Sequence, residues 1–331
     1  MLESVDEKSI ISEARVANFP GKMAGFDAGE FGMRRIEGAM AFDKTLLDDL
    51  SADESKSVTR LIEKGITIPP QPRVLQELQA SLARGVADVR VLARIIGQDP
   101  GIGAMLFRVV QNAAFRKYQP FTSIEHILQA VGLQQTSNLV RVIALSSALP
   151  AKHNRKAFET FWARSQAIAD LAMLIAEDRV TVCNIFPDQA CLAGIFHDCG
   201  VPVLMQRFST YGKDMRLDEP GNWVALAEED ARFNADHCVI GYLVARHWKL
   251  PDFICDSIRF HHDFSRIDNH ASRTMVAILQ FAIELYSLDQ RFNNAEWASV
   301  SAEVLDELGL REEFLPELID VILDRYHSQA A

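Results

Sequence analysis

The chain has 331 residues, of which 48% are apolar and 24% are charged, a composition typical of globular proteins with a buried core. Its formal net charge of −11 opposes binding to nucleic-acid phosphates. No apolar run approaches the roughly 18 residues that a membrane-spanning helix needs. The first residues are acidic where a secretory signal peptide would be basic. We therefore expect a cytoplasmic protein with neither a nucleic-acid nor a membrane partner.

The charge is unevenly distributed along the chain. Residues 57–150 carry 10 basic and 5 acidic side chains, whereas the segments before and after them are acidic. Six basic residues of this middle segment form a weak candidate surface for an anion or a partner: Arg84, Arg90, Arg94, Arg108, Arg116 and Lys117. An ordinary solvated helical face explains the same residues more simply.

Glycines interrupt the first part of the chain. Five of them fall between Gly21 and Gly38, and each costs a helix about 1 kcal/mol relative to alanine. Residues 1–42 are therefore predicted to form a flexible arm. Helical periodicity begins at about Asp43, and the prolines between 69 and 72 end the first helix because proline lacks the backbone donor.

Capping residues mark the helices that follow. Asp88 is predicted to cap one helix and Thr122 or Ser123 a later one, while Asp99-Pro100 starts the helix between them. Further helices are predicted at about 158–176, 188–207, 223–231, 236–248, 252–262, 271–287 and 312–326. Because the alternating pattern typical of strands is nearly absent, the fold class is predicted to be all-α.

A His-Asp pair follows the apolar run 191–196. His197 and Asp198 offer an imidazole nitrogen and a carboxylate oxygen to one cation, and Gly200 lets the backbone turn closely. The pair alone is weak evidence for a metal, because buried histidines are usually satisfied by hydrogen bonds.

Two further histidine clusters strengthen the interpretation. Asp236 can cap a helix whose first turn contains His237, and His261-His262 ends a later helix. Three clusters at helix ends can converge on one pocket. Imidazole and carboxylate ligands together suit zinc, iron or manganese.

These motifs occur in the order of a known family. His197-Asp198, Asp236-His237, Trp248-x-Leu250-Pro251 and His261-His262 resemble the HDOD domain, a relative of the HD-type phosphohydrolases. The first half resembles the same family at four landmarks: Ile68-Pro69-Pro70-Gln71-Pro72, Ile95-Ile96-Gly97-Gln98-Asp99-Pro100, Gln111-Asn112-Ala113-Ala114-Phe115 and Ala130-Val131-Gly132-Leu133. The resemblance covers about residues 57–290 and implies an all-helical, HD-domain-like bundle with an N-terminal helical lobe. The chain then divides into an N-terminal extension of an arm and a helix (1–56), the N-terminal helical lobe (57–150) and the HD-like lobe (151–331).

The chain departs from the catalytic relatives at positions that hold metal ligands. The resemblance implies a histidine where Arg164 stands and an aspartate where Ile283 stands. Arginine stays protonated and has no lone pair for a metal. The lysine that follows the His-Asp-x-Gly motif in the cyclic-di-GMP phosphodiesterase branch is replaced by Val201. We expect Arg164 to pair with Asp198 and to supply the missing positive charge; the alternative is that it points to solvent.

Two functions follow from the resemblance. The first is a non-catalytic regulatory module of bacterial signalling that needs no cofactor and acts through protein partners in sensor-kinase or cyclic-dinucleotide pathways. The second is a metal-dependent phosphohydrolase acting on a nucleotide or phosphodiester, in which a zinc, iron, manganese or magnesium ion activates water. The ligands of such an ion would be His197, Asp198, His237, His261 and His262. The incomplete ligand set favours the first function.

Overall fold

The computed structural model describes residues 50–85, 88–110, 121–149, 155–219 and 221–330. The arm predicted over residues 1–42 lies outside this part of the chain. Within it the structure contains helices and no strand, so the all-α prediction is confirmed.

The helices fall into two groups along the chain. The first group comprises α1 (Ala52–Glu63), α2 (Arg73–Ala83), α3 (Val89–Gly97), α4 (Pro100–Val110), α5 (Ile124–Val131) and α6 (Leu133–Ala148). The second group comprises α7 (Arg155–Cys183), α8 (Pro187–Phe196), α9 (Gly200–Arg207), α10 (Tyr211–Asp214), α11 (Leu226–Phe233), α12 (His237–His247), α13 (Asp252–Phe260), α14 (His270–Gln290), α15 (Trp297–Glu307) and α16 (Leu315–Ala330). Two short 3₁₀ turns, Phe264–Arg266 and Glu312–Phe314, precede α14 and α16.

Polar side chains begin several helices where the sequence places them. Asp88 accepts hydrogen bonds from the backbone of Arg90 and Val91, and Ser123 accepts one from His126. The prediction of a cap at Thr122 or Ser123 therefore resolves to Ser123. These caps satisfy backbone donors that a helix leaves free in its first turn.

The long helix α7 forms the centre of the second group. It packs against α8, α14 and α16, and its inner face is buried. Gly194 of α8 permits the closest of these contacts, since a Cβ there would lie 2.5 Å from the Cα of Ala169. The α7–α8 pair thus fixes where the residues after α8 are placed.

The helix predicted over 188–207 is wrong as a single element. The structure divides it into α8 and α9, with His197, Asp198 and Cys199 between them. Gly200 begins α9 against α12, and a Cβ at Gly200 would lie 2.0 Å from the carbonyl oxygen of His237. This close crossing bends the chain, which local periodicity did not show.

Trp248, which caps the end of α12, joins the two groups of helices. Its indole Nε1 donates to the carbonyl of Pro69 at 2.9 Å, and its own carbonyl accepts from Gln71 and Gln79 at 3.2 and 3.1 Å. The ring is fully buried and meets Phe196 edge-on. None of the described helices is both long and apolar enough to cross a membrane.

Candidate metal centre

Three breaks between helices bring the predicted site residues together. His197 and Asp198 follow α8, His237 is the first residue of α12, and His261 and His262 follow α13. Asp236 fixes the start of α12 by accepting hydrogen bonds from two backbone amides in its first turn.

Asp198 lies at the middle of this cluster. Its Oδ2 is 3.4 Å from His197 Nε2, and its Oδ1 is 3.3 Å from His237 Nε2 and 3.2 Å from His261 Nε2. The Nε2 of His262 lies 3.3 Å from the Nε2 of His237. The structure therefore directs the Nε2 atoms of four imidazoles towards one carboxylate or towards each other.

The opposite edge of each ring fixes its tautomer. The Nδ1 atoms all face oxygen acceptors: Gly194 O at 2.6 Å from His197, Glu229 Oε2 at 2.9 Å from His237, Ile258 O at 2.8 Å from His261 and Glu296 Oε2 at 2.8 Å from His262. A carbonyl or carboxylate oxygen can only accept, so Nδ1 carries the hydrogen in each ring. In the neutral ring Nε2 then carries no hydrogen and offers a lone pair.

Lone pairs that face a carboxylate repel it unless a proton or a metal ion lies between them. His197 Nε2, His261 Nε2 and Asp198 Oδ1 are buried and have no hydrogen-bond partner among the described residues. Orphaned buried acceptors are rare in proteins and call for a specific cause. The donor set therefore fits a divalent cation, which His197, Asp198, His237 and His261 would hold, with His262 at the edge.

The ionisation of the cluster follows the same geometry. Burial by itself raises the pKa of Asp198, but positive charge on His197 and the nearness of the His237 and His261 imidazoles outweigh it and hold that pKa well below its usual range. Burial by itself lowers the pKa of His237, but Cys238, Glu229 and Asp198 together raise that pKa well above its usual range. The cluster thus favours a carboxylate surrounded by positive charge.

Arg164 points inward from α7 and not to solvent. Its side chain is 2% exposed, and its Nη2 lies 4.0 Å from Asp198 Oδ2. Nη1 donates to the carbonyl of Asn222 at 2.8 Å, and the guanidinium lies 4.5 Å from the ring centre of Trp223. The guanidinium therefore sits beside the carboxylate, although its shortest hydrogen bond is to a backbone oxygen. Its role as a substitute for a metal stays a prediction.

Several residues that hold the histidines were missed from the sequence. Glu229 accepts from both the backbone and the ring of His237, and Tyr211 donates to the same carboxylate. Gln280 of α14 donates to the carbonyl of His261. The family resemblance pointed to Ile283 on that helix. The side chain that reaches the cluster is that of Gln280, about one turn earlier. Such partners orient metal-ligating histidines. No motif in the sequence marks Glu229 or Gln280 as the partner of a histidine.

Cys238 offers a second possible ligand. His237, Cys238, His261 and His262 each place one ligand atom within 4.8 Å of the others. The Cys238 sulfur, however, lies 3.8 Å from Nδ1 of His261, the nitrogen that already donates to Ile258. The set around Asp198 uses the free Nε2 atoms and is the better candidate.

The cluster is closed to solvent. His197, His237 and His261 are at most 1% exposed and Asp198 is 5% exposed. The His262 side chain is 13% exposed and leads to the half-exposed Glu296. Neither of two cavities between the described helices is lined by a histidine of the cluster. The predicted pocket is thus a buried cluster with one edge near the surface.

Three of the six basic residues of the predicted anion or partner surface lie at the surface and do not join this cluster. Arg84, Arg90 and Arg94 are exposed on α2, α3 or the turn between them. The side chain of Arg108, together with Arg116 and Lys117, lies outside the described residues.

Comparisons with known proteins agree with this fold. The sequence model of the HDOD domain family matches residues 68–264. An HDOD domain protein of unknown function from Geobacter sulfurreducens has 22% sequence identity and a TM-score of 0.61, over 83% of this chain and 96% of that chain. A proposed phosphohydrolase from Shewanella amazonensis SB2B has 18% identity and a TM-score of 0.60, over 85% and 98% of the two chains. A proposed signal transduction protein from Marinobacter aquaeolei VT8 has 20% identity and a TM-score of 0.60, over 87% and 65%. At these identities the likeness to solved structures shows the fold alone.

One curated relative matches a smaller part of its own length. An uncharacterized protein from Treponema pallidum (strain Nichols) is 20% identical over 216 residues, which are 65% of this chain and 41% of that protein. The chain therefore corresponds to less than half of that relative.

Proposed function

Because the chain belongs to the HDOD domain family, we propose that it is a non-catalytic regulatory module of bacterial signal transduction that acts through protein partners. The observation that carries this proposal is the closed cluster around Asp198, which lies beside the buried guanidinium of Arg164. The protein of similar fold from Marinobacter aquaeolei VT8 is itself described as a proposed signal transduction protein.

Closure of the cluster argues against turnover. Metal-dependent hydrolysis of a phosphodiester needs substrate oxygen and an activated water at the same cation. Here the Nε2 atoms that would hold the cation are buried, and the positive guanidinium of Arg164 already lies 4.0 Å from Asp198 Oδ2. A cation bound in this cluster would neutralise Asp198 and fasten three helix ends together, which is a structural role.

The second candidate function is a metal-dependent phosphohydrolase. The observation that favours it is the set of unpartnered acceptors at His197, Asp198 and His261, which fits a divalent ion. Zinc, iron, manganese or magnesium could supply an activated water if the cluster opened. The similar structures from Shewanella amazonensis SB2B are described as proposed phosphohydrolases, one of them metal-dependent.

Metal analysis combined with an activity assay separates the two functions. The full chain is purified without a metal-chelating tag, its metal content is measured, and it is assayed on bis(p-nitrophenyl) phosphate and cyclic-di-GMP with added Mn²⁺. We expect no turnover above that of the Asp198→Asn variant, whether or not a cation is bound. Metal-dependent turnover that Asp198→Asn abolishes would establish the phosphohydrolase instead.

A further inference from the structure

A groove lies beside the corner between α11 and α12, and no histidine of the cluster lines it. It has a volume of about 370 Å³ and is bounded by α1, α11 and the first turn of α12. Its apolar floor is formed by the buried residues Val58, Leu61, Ala235, Val239 and Ile240, and Leu226 and Ala227 of α11 complete the apolar wall nearer the surface. Concave apolar surfaces of this size are where proteins receive side chains of a partner or ligand.

Carboxylates surround this apolar wall. Asp53, Glu54, Asp230 and Asp236 line the groove, and no basic side chain is among its lining residues. Two of these four carboxylates already interact with other groups of the chain. Glu54 pairs with Arg259 at 2.7 Å, and Asp236 caps α12.

Two of the four carboxylates remain available to a partner. Asp53 pairs with Lys56 at 3.3 Å, but both side chains are largely exposed, and a pair of that kind holds little energy. Asp230 is exposed on α11 and forms no ion pair with any residue in the described part of the chain. The rim therefore offers free negative charge at Asp230 and weakly held charge at Asp53.

From this combination we infer that the groove docks a basic, amphipathic segment of a partner protein, in which apolar side chains are flanked by lysine or arginine. Apolar side chains would enter the groove while the stems of lysines cover its edge and their ammonium groups reach the carboxylates. Complementary charge of this kind selects partners and speeds their encounter. The same carboxylates repel phosphates, so a cyclic dinucleotide is not the occupant.

The groove and the histidine cluster share α11 and the first turn of α12. Glu229, next to Asp230 on α11, holds the ring and backbone of His237, while Val239 and Ile240 on the same turn of α12 line the groove. A partner in the groove would therefore contact residues 234–236, which connect α11 to α12 and precede His237. This inference rests on the proposed regulatory role and names the chemistry of the partner.

A pair of designed peptides tests the inference on the full chain. One peptide repeats leucine at helical spacing with lysines elsewhere, and the other replaces every lysine with glutamate. Binding is followed by fluorescence anisotropy at low and high salt. We expect the lysine peptide to bind, with an affinity that salt weakens, and the glutamate peptide not to bind. Hydrogen exchange should slow in residues 52–61 and 226–240.

Two charge reversals with the same chemistry separate the groove from the overall negative charge. Asp230→Lys places a lysine on the rim, and Asp324→Lys places one on the exposed side of α16, away from the groove. Asp230→Lys should weaken binding of the lysine peptide about tenfold, equivalent to about 1.4 kcal/mol. Asp324→Lys should change the affinity less than about twofold.

Other results would reject the docking surface. Equal effects of the two reversals, equal binding of the two peptides, or no binding of the lysine peptide would each contradict it. So would a dimer that Asp230→Lys dissociates, because the occupant would then be a second copy, or cyclic-di-GMP binding that slows exchange in the groove. Peptide binding is measured independently of the phosphodiester assay. Turnover would therefore refute the proposed function, whereas only the peptide experiments decide whether the groove docks a basic segment.

Discussion

Asp198 sets the charge balance of the buried cluster. Three imidazole Nε2 atoms and the guanidinium of Arg164 lie within 4.0 Å of its carboxylate oxygens. A buried carboxylate is tolerated only when positive charge and hydrogen bonds replace its water. The stability of the cluster should therefore depend on whichever cation stands beside Asp198.

A double-mutant cycle tests the pairing of Arg164 with Asp198. Removing one partner of a buried ion pair costs about 3–5 kcal/mol because the other charge is left uncompensated. Arg164→Met, which keeps much of the volume, should lower the free energy of unfolding clearly. Asp198→Asn should then cost much less in the Arg164→Met background than it does alone, as measured by thermal unfolding.

Additivity of the two changes within about 0.5 kcal/mol would reject the pairing. The hydrogen bond from Arg164 to the carbonyl of Asn222 and the stacking on Trp223 would then account for the buried guanidinium.

Asp170 on α7 predicts a pH dependence of stability. Burial raises its pKa to about 7, although a hydrogen bond from Gln166 at 2.7 Å opposes the shift. An unfolded aspartate titrates near about 3.9. The folded state therefore binds the proton more tightly, so this group's contribution to stability is complete below about pH 4 and is lost as the pH rises towards 7.

Asp170→Asn should remove that loss. Relative to the wild type, the variant should gain up to about 4 kcal/mol between pH 4 and pH 8, since one pKa unit is worth about 1.4 kcal/mol and the pKa rises from about 3.9 to about 7. Urea unfolding across this pH range measures it. Asp324→Asn, at an exposed position on α16, controls for the loss of one negative charge. Parallel stability curves for wild type and Asp170→Asn would contradict the prediction.

At the scale of elements, the crossing of α9 and α12 positions the site. Gly200 and Gly241 face each other there, and a Cβ at Gly200 would lie 2.0 Å from the His237 carbonyl oxygen and 2.8 Å from the Gly241 nitrogen. Both neighbours are backbone atoms of α12, so they cannot move aside without moving the helix. Glycine at 200 is therefore required by the distance between the two helices.

Gly200→Ala should separate α9 from α12 and displace His237. Forcing a methyl group into a packed contact costs about 1–3 kcal/mol or more, and any metal affinity of the cluster should fall with it. Thermal unfolding and metal content measure both effects. Gly97→Ala at the end of α3 is the matched control, because its Cβ would make an ordinary 3.8 Å contact with Ile124. A Gly200→Ala protein as stable as Gly97→Ala would disprove the tight crossing.

At the scale of the whole molecule, Trp248 connects the first group of helices to the second. It bonds to Pro69, Gln71 and Gln79 on one side and packs on Phe196, the residue before His197, on the other. We propose on this basis that residues 57–150 and 151–331 are two lobes that fold against each other at Trp248, with 1–56 as an extension. Phe196, on which Trp248 packs, is next to His197 of the histidine cluster.

Trp248→Phe should loosen the joint between the lobes. It leaves the buried carbonyl of Pro69 without its donor, which costs about 1–3 kcal/mol. Hydrogen exchange should speed up in α2 more than in α13. Trp162→Phe is the control, because the described residues give the Trp162 indole nitrogen no hydrogen-bond partner. Equal acceleration in α2 for both variants would refute a specific role of Trp248.

The sequence by itself determined the features that depend on neighbours along the chain. Helical periodicity and the lack of alternation established the all-α class. The caps at Asp88 and Asp236 followed from residue type and position, which also limited a third cap to Thr122 or Ser123. The order of the histidine motifs identified the family and the residues that the structure brings together. Each of these signals depends on residues that are close in the chain or on the order of motifs along it, so the sequence alone contains it.

Only the tertiary structure decided how the helices cross and what reaches the site. The break after Phe196 agrees with Pro202, which lies in the first turn of α9, but how α9 crosses α12 depends on their close packing at Gly200. Glu229 and Gln280 belong to helices other than those that begin or end at the histidines they orient, and no motif in the sequence pairs them with His237 and His261. The tautomers, the orphaned acceptors and the closure of the cluster depend on which atoms face each other across several helices. Periodicity and capping fix single helices, whereas these properties arise from long-range packing.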